Sequence, residues 1–176
     1  MGRSDTETPA RTPDAEGFPA STFTGFDYHE GSITTAKARA QEAGVAGRVR
    51  FEATPAARYP GRGYDLVTMF DCLHDMGDPV GAARHVRESL AEGGTWMIVE
   101  PVAGDRVEDN LNPVGRAYYG FSTLLCTPSS LAQDVGLALG AQAGEARIRD
   151  VVTSAGFRHF RRVAETPFNM VFEARA

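Results

Sequence analysis

Residues 64–70 read YDLVTMF and residues 95–99 read TWMIV. Short runs so continuously apolar, bounded by glycine or polar residues, have the pattern of strands buried on both faces, and such strands belong to parallel sheets covered by helices. Residues 64–70 are therefore expected as a central strand of an α/β fold. Between the two runs, Asp78-Pro79 supplies a capping acid followed by proline at the first helical position, and Gly93-Gly94 closes the helix after Leu90. Val80, Ala83, Val86 and Leu90 are its expected buried side.

The same pattern extends to either side. Residues 21–26 read as a strand followed by Asp27, then a helix over residues 32–43 stopped by Gly44, then a second strand over residues 48–53. The Pro/Gly-rich residues 55–63 form a turn before the central run. Near the C-terminus Ile148, Val151, Val152 and Ala155 fall at i, i+3, i+4 and i+7, with Gly156 as the cap. Residues 160–165 and 168–174, separated by Thr166-Pro167, read as two strands close enough to pair antiparallel. Residues 102–141 interrupt the alternation as an insertion. Within it VGRAYYGFSTLLC, residues 114–126, reads as a helix ended by Thr127-Pro128 and able to lie over a site as a lid. The expected fold class is α/β, a mostly parallel sheet with helices on both faces and an antiparallel C-terminal strand pair.

A chain of 176 residues, 42% of them hydrophobic, can bury one core and hardly two. Its 18 basic and 23 acidic residues leave a net charge of −5, with no basic field to neutralise a polyanion, so nucleic acid is not an expected partner. Nor is a membrane, since no apolar run is long enough to cross a bilayer. Residues 1–17, without a large apolar side chain after Met1, read as a disordered leader rather than a secretory signal, and residues 18–176 as the folded part. A soluble, cytoplasmic chain is expected, with Cys72 and Cys126 as reduced thiols that serve as small buried hydrophobes.

Ligands of such sheets sit beyond the carboxyl ends of the strands. Asp27, the segment Asp71-Cys72-Leu73-His74-Asp75 and Glu100 all follow strand ends. An acid in Asp27's position accepts hydrogen bonds from ribose hydroxyls in nucleotide-binding folds; a turn or helix-capping acid is the plainer alternative. His74 follows the central run directly, where a neutral imidazole can take a proton from a hydroxyl and Glu100 or Asp75 can orient it. A lone loop histidine that only caps a turn is the alternative. His29, His85 and His159 have weaker cases. No H-E-x-x-H, paired C-x-x-C or carboxylate cluster occurs, so no metal is expected, and no G-x-S-x-G elbow points to a hydrolase.

The segments FTGFDYHEGSI, VRFEAT, GYDLVTMFDCLHDMGDP, LAEGGTWMIVEP and VVTSAGF resemble, in order, the later motifs of class I S-adenosylmethionine-dependent methyltransferases, Rossmann-like enzymes. The closing NMVFEAR is similar to an actinobacterial subgroup with a winged-helix region before its catalytic domain. The resemblance implies S-adenosyl-L-methionine as cofactor, with Asp27 on its ribose, Tyr28 beside the adenosine, and Phe70 and Asp71 near its methionine part. The family's adenine-side acid is replaced by Thr54 and Pro55. CLHDMGDP is similar to the C-H-D-W-S-D segment of small-molecule O-methyltransferases, which implies His74 as general base and Glu100 as its support. Tyr118, Tyr119 and Phe121 would then line the acceptor pocket, or else belong to the core.

The family's first strand and glycine-rich loop have no counterpart, and Phe18-Pro19-Ala20 looks like the end of the helix that follows that loop. The fold is therefore expected as an N-terminally truncated one. Direct pairing of the two strands flanking the gap, a strand supplied by another chain as in a homodimer, and an incorrect start site all remain open. The functional expectation is O-methylation of a small molecule; the alternative is a non-catalytic remnant acting at most as a binding or dimerisation module.

Overall fold

The computed structural model describes residues 12–176. They fall into two compact units, up to Pro60 and from Gly61 onward.

The first unit starts from a short helix, α1 (Thr12–Gly17), and continues as β1 (Phe23–Asp27), α2 (Glu30–Glu42) and β2 (Val49–Ala53). β1 and β2 pair in parallel, Phe23 opposite Val49 and Asp27 opposite Ala53, with α2 as the crossover. Ile33, Ala36 and Ala40 recur on one face of α2 and pack with Ala15, Val45, Val49 and Phe51. Burying Ile33 alone stabilises the unit by roughly 2 kcal/mol. Gly25 stands opposite Phe51, and a Cβ there would lie 2.7 Å from the ring, so only glycine admits the phenyl group.

α1 falls within the segment read from sequence as a disordered leader; residues 1–11 of that segment lie outside the described residues. Two tertiary contacts order α1. Ala15 is fully buried in the core, and the Arg48 guanidinium donates to the carbonyls of Ala15 at 2.8 Å, Phe18 at 3.2 Å and Ser21 at 3.3 Å. A cation thus satisfies one carbonyl in the last turn of a helix too short to persist alone, and two in the segment that follows it.

The second unit contains β3 (Tyr64–Phe70), α3 (Pro79–Ser89), β4 (Leu90–Pro101), α4 (Pro113–Phe121), α5 (Thr127–Leu131), α6 (Gly144–Ser154), β5 (His159–Glu165) and β6 (Asn169–Arg175). The sheet order is β3-β4-β6-β5, with β3 parallel to β4 and β6 antiparallel to both its neighbours. Trp96, Ile98, Met170, Phe172 and Ala174 alternate inward along β4 and β6 and are completely buried; Val86, Ile148 and Val152 of the helices are as deeply enclosed. α3 begins as its sequence dictates, with Asp78 Oδ1 accepting the Gly81 N–H at 2.7 Å and Pro79 in the first turn.

Two expectations are corrected. β3 is the last strand of its sheet rather than a central one, and Leu66 is 54% exposed. Among the described residues only β4 pairs with it, so its apolar run reports a preference for extended backbone and not a position in the sheet. Nor do Thr127-Pro128 end the insertion's helix. A π-helical turn, Ser122–Cys126, joins α4 to α5, with the Thr127 N–H donating to the Ser122 carbonyl. The wider turn drops the bond that Pro128 has no N–H to make.

No helix among the described residues is long and apolar enough to cross a membrane.

Candidate active site

β3 ends in a deliberate change of direction. Asp71 adopts a left-handed conformation, φ 47°, while its N–H still donates to Val99 on β4 at 2.8 Å. Its side chain is held by Asn169 of β6, whose Nδ2 donates to Asp71 Oδ1 at 2.9 Å. Residues Leu73–Asp75 follow as a single 3₁₀ turn, with Leu73 fully buried as its anchor.

Glu100, at the end of β4, organises that turn. It is 1% exposed; Oε1 accepts the Leu73 N–H at 2.9 Å and Oε2 accepts a proton from His74 Nδ1 at 2.5 Å. A buried carboxylate is costly unless its oxygens are filled, and here both are, one by a charge-assisted bond. Adjacent parallel strands deliver the two halves of this pair, so the register of Phe70 opposite Val99 sets the distance between them.

The other ring nitrogen, Nε2, faces Asp75 Oδ1 at 3.3 Å and the thiol of Cys126, which the π-turn brings in from the insertion. Burial pulls the His74 pKa down, but hydrogen bonds with Cys126 and Glu100 and the charges of Glu100 and Asp75 outweigh it and hold the imidazole up to about 11. At neutral pH His74 is an imidazolium. Burial first, then the Glu100 charge, push the neighbouring Cys72 thiol well above its ordinary value.

The insertion also fastens the turn through its backbone. Ser130 Oγ donates to the Met76 carbonyl at 2.8 Å, Gln133 Nε2 donates to the Asp75 carbonyl at 2.8 Å, and Gln133 Oε1 accepts the Gly77 N–H at 3.0 Å. Gly140, at φ 70°, donates its N–H to the His74 carbonyl at 3.2 Å; a Cβ there would lie 2.3 Å from Ser122 Oγ. None of these residues carries a sequence signal. Ser130, Gln133, Gly140, Cys126 and Asn169 lie far from His74 along the chain, and only folding places them beside it.

The residues assigned to the cofactor divide between the units. In the first, Asp27 is half-buried at the end of β1 with Oδ1 accepting the His29 N–H at 2.8 Å, and Tyr28 is 82% exposed. The turn-acid alternative is thus real for one oxygen, while the helix cap is His29 itself, whose ring accepts the Ser32 N–H. A carboxylate has further acceptor capacity, which suits a ribose diol. In the second unit Phe70 is half-buried and Asp71 exposed.

The aromatic trio of the insertion is not one cluster. Tyr118 donates to the Phe168 carbonyl at 2.8 Å, Tyr119 lines a hollow with Leu111 and Arg116, and Phe121 is 56% exposed. A hollow of about 620 Å³ between Gly93, Arg158 and Arg175 contains none of the groups described above, so chemistry rather than volume marks the site.

Residues 11–96 match the family described as "Methyltransferase domain". Among solved structures, the chain is similar to an O-methyltransferase family protein from Burkholderia thailandensis, with 19% identity, TM-score 0.69, and 92% of this chain aligned to 46% of that one. It is similar to the mitomycin 7-O-methyltransferase MmcR, with 18% identity, TM-score 0.66, and 92% aligned to 44%. Human N-acetylserotonin methyltransferase, solved with its cofactor, gives 20% identity, TM-score 0.64, and 92% aligned to 42%. The chain therefore spans less than half the length of these three proteins. No curated protein matches it by sequence.

Proposed function

With the Rossmann-like fold of class I S-adenosylmethionine-dependent methyltransferases as premise, we propose that this chain takes part in methyl transfer from S-adenosyl-L-methionine to an oxygen of a small molecule. The observation that carries this reading is the buried His74–Glu100 pair at the ends of adjacent parallel strands. That is where ligands of such sheets bind.

When bound, the cofactor supplies a methyl group on a positively charged sulfur, already activated for displacement by oxygen. The chain's task is then to position the acceptor and take its proton. Glu100 holds Nδ1–H, which leaves Nε2 as the only ring atom able to accept. Asp27 is the group for the ribose and Tyr28 for the adenosine, with Phe70 and Asp71 for the methionine part. Because the carboxylates hold His74 protonated, the base form grows in only as pH rises toward about 11. An acceptor that is itself acidic, such as a phenol, suits so basic an imidazole. The net charge of −5 disfavours a polyanionic acceptor.

Calorimetric titration of the folded chain with S-adenosylhomocysteine tests the cofactor half: micromolar affinity supports it, and no heat overturns it. For the base, His74→Gln is expected to lower turnover far more than cofactor affinity; unchanged turnover removes His74 from the mechanism.

One observation favours a second reading, a binding or dimerisation module without turnover. His74 is only 4% exposed, and its free nitrogen is faced by Asp75 and Cys126 rather than by open space. Cofactor binding without methylation of any hydroxyl acceptor is the outcome that selects it.

A further inference from the structure

We propose that His74, Asp75 and Cys126 form a binding site for a thiophilic divalent cation, zinc above all. The three side chains offer one donor atom each, imidazole nitrogen, carboxylate oxygen and thiolate sulfur, all within 4.8 Å of one another. Nitrogen, oxygen and sulfur donors are the set that zinc accepts, and three protein ligands leave a fourth tetrahedral position for water.

Three features make this more than a chance gathering. First, Glu100 holds Nδ1–H at 2.5 Å, so the nitrogen turned toward Asp75 and Cys126 is the one able to give a lone pair. A carboxylate behind a ligating histidine is the usual support of a metal-bound imidazole. Second, Asp75 Oδ1 is buried and has no hydrogen-bond partner, although it lies 3.3 Å from Nε2. Once the Nε2 proton leaves, that oxygen loses its ion pair with His74, and a cation between the three donors satisfies it instead. Third, the donors are held from both sides: the 3₁₀ turn is pinned by Glu100, Ser130 and Gln133, and Cys126 sits in the π-turn. Donor separations up to 4.8 Å need a closure of about 1 Å to reach bonds of roughly 2.0–2.3 Å.

Binding forms Zn–N, Zn–O and Zn–S bonds and sends to solvent the protons that leave Nε2 and Sγ. Thiolate and carboxylate together neutralise the double positive charge, so the loaded site carries no net charge of its own into the interior. The cation occupies the lone pair that a base at Nε2 would use, so loading silences that base. The site itself does not depend on methyl transfer. Sequence spacing gave no sign of it because Cys126 is remote from His74 in the chain.

The test uses cobalt(II) alone, added to the full chain after chelator treatment and under reducing conditions. The site requires tetrahedral cobalt bands and a sulfur-to-cobalt charge-transfer band that saturate at one equivalent and are bleached by zinc. Cys126→Ser should remove the charge-transfer band, Cys72→Ser should retain it, and Glu100→Gln should weaken cobalt binding about 10- to 100-fold. The absence of a charge-transfer band in the unmodified chain overturns the proposal, as does its loss on Cys72→Ser instead. If Cys126→Ser does not fold, the zinc X-ray absorption spectrum of the unmodified chain decides: one sulfur in the coordination shell supports the site and none overturns it.

Discussion

Glu100 Oε2 receives the Nδ1 proton of His74 at 2.5 Å, and neither side chain exposes more than 5% of its surface. The pair closes the ends of β3 and β4, and its protonation state is therefore coupled to folding.

The His74 imidazole is held up to about 11 in the folded chain, against an ordinary value near 6.5. A raised folded pKa contributes stability that is fully present below pH 6.5 and is lost as pH climbs toward 11. The melting temperature of the metal-free chain should fall steadily between pH 7 and 10, and His74→Gln should flatten that fall. An unchanged slope in the variant excludes His74 as its source.

Residue 100 contributes both a charge for His74 and an acceptor oxygen for Leu73. Glu100→Ala leaves a buried imidazolium without its counter-charge and the Leu73 N–H without an acceptor, a loss of about 3–5 kcal/mol. Glu100→Gln keeps an acceptor for Leu73 and removes the charge, for about 1.5–3 kcal/mol. Urea unfolding of both variants measures the order, and Gln proving as costly as Ala refutes the assignment. NMR titration should show the His74 pKa well below its parent value in Glu100→Gln.

In the first unit, Gly25→Ala places a methyl group 2.7 Å from the Phe51 ring. The overpacking should destabilise the protein by about 1–3 kcal/mol. A smaller neighbour relieves the contact, so Phe51→Leu should be less harmful in the Gly25→Ala background than alone. Strictly additive effects in the double-mutant cycle argue against direct contact.

Arg48 holds the end of α1 through the Ala15 carbonyl and the segment after it through those of Phe18 and Ser21. Arg48→Met keeps the apolar stem and deletes the donors. Amide exchange over Ala15–Ser21 should accelerate tenfold or more, with little change in β3 or β4. Exchange that rises equally across the chain points instead to global destabilisation.

Much of the secondary structure was readable because it is written locally. β3 runs from Tyr64 to Phe70 as its β-rich sequence requires, α3 starts at the Asp78-Pro79 cap, and β5 and β6 flank Thr166-Pro167 as an antiparallel pair. His74 and Glu100 were found through position after a strand and through resemblance to a methyltransferase motif. Their mutual bond depends on the parallel register of β3 against β4, which no local pattern encodes.

The sequence by itself determined most of the strands and helices from residue 21 onward, the Asp78-Pro79 helix start and which polar groups stand at strand ends, because backbone preference and side-chain period act over a few residues. Only the tertiary structure decided that β3 is the edge of its sheet, that α1 is ordered by Ala15 and Arg48, and that Pro128 is carried through a π-turn. It alone decided that Cys126 meets His74 and Asp75. Those outcomes depend on contacts between residues distant along the chain, whose free energy appears only when packing brings them together.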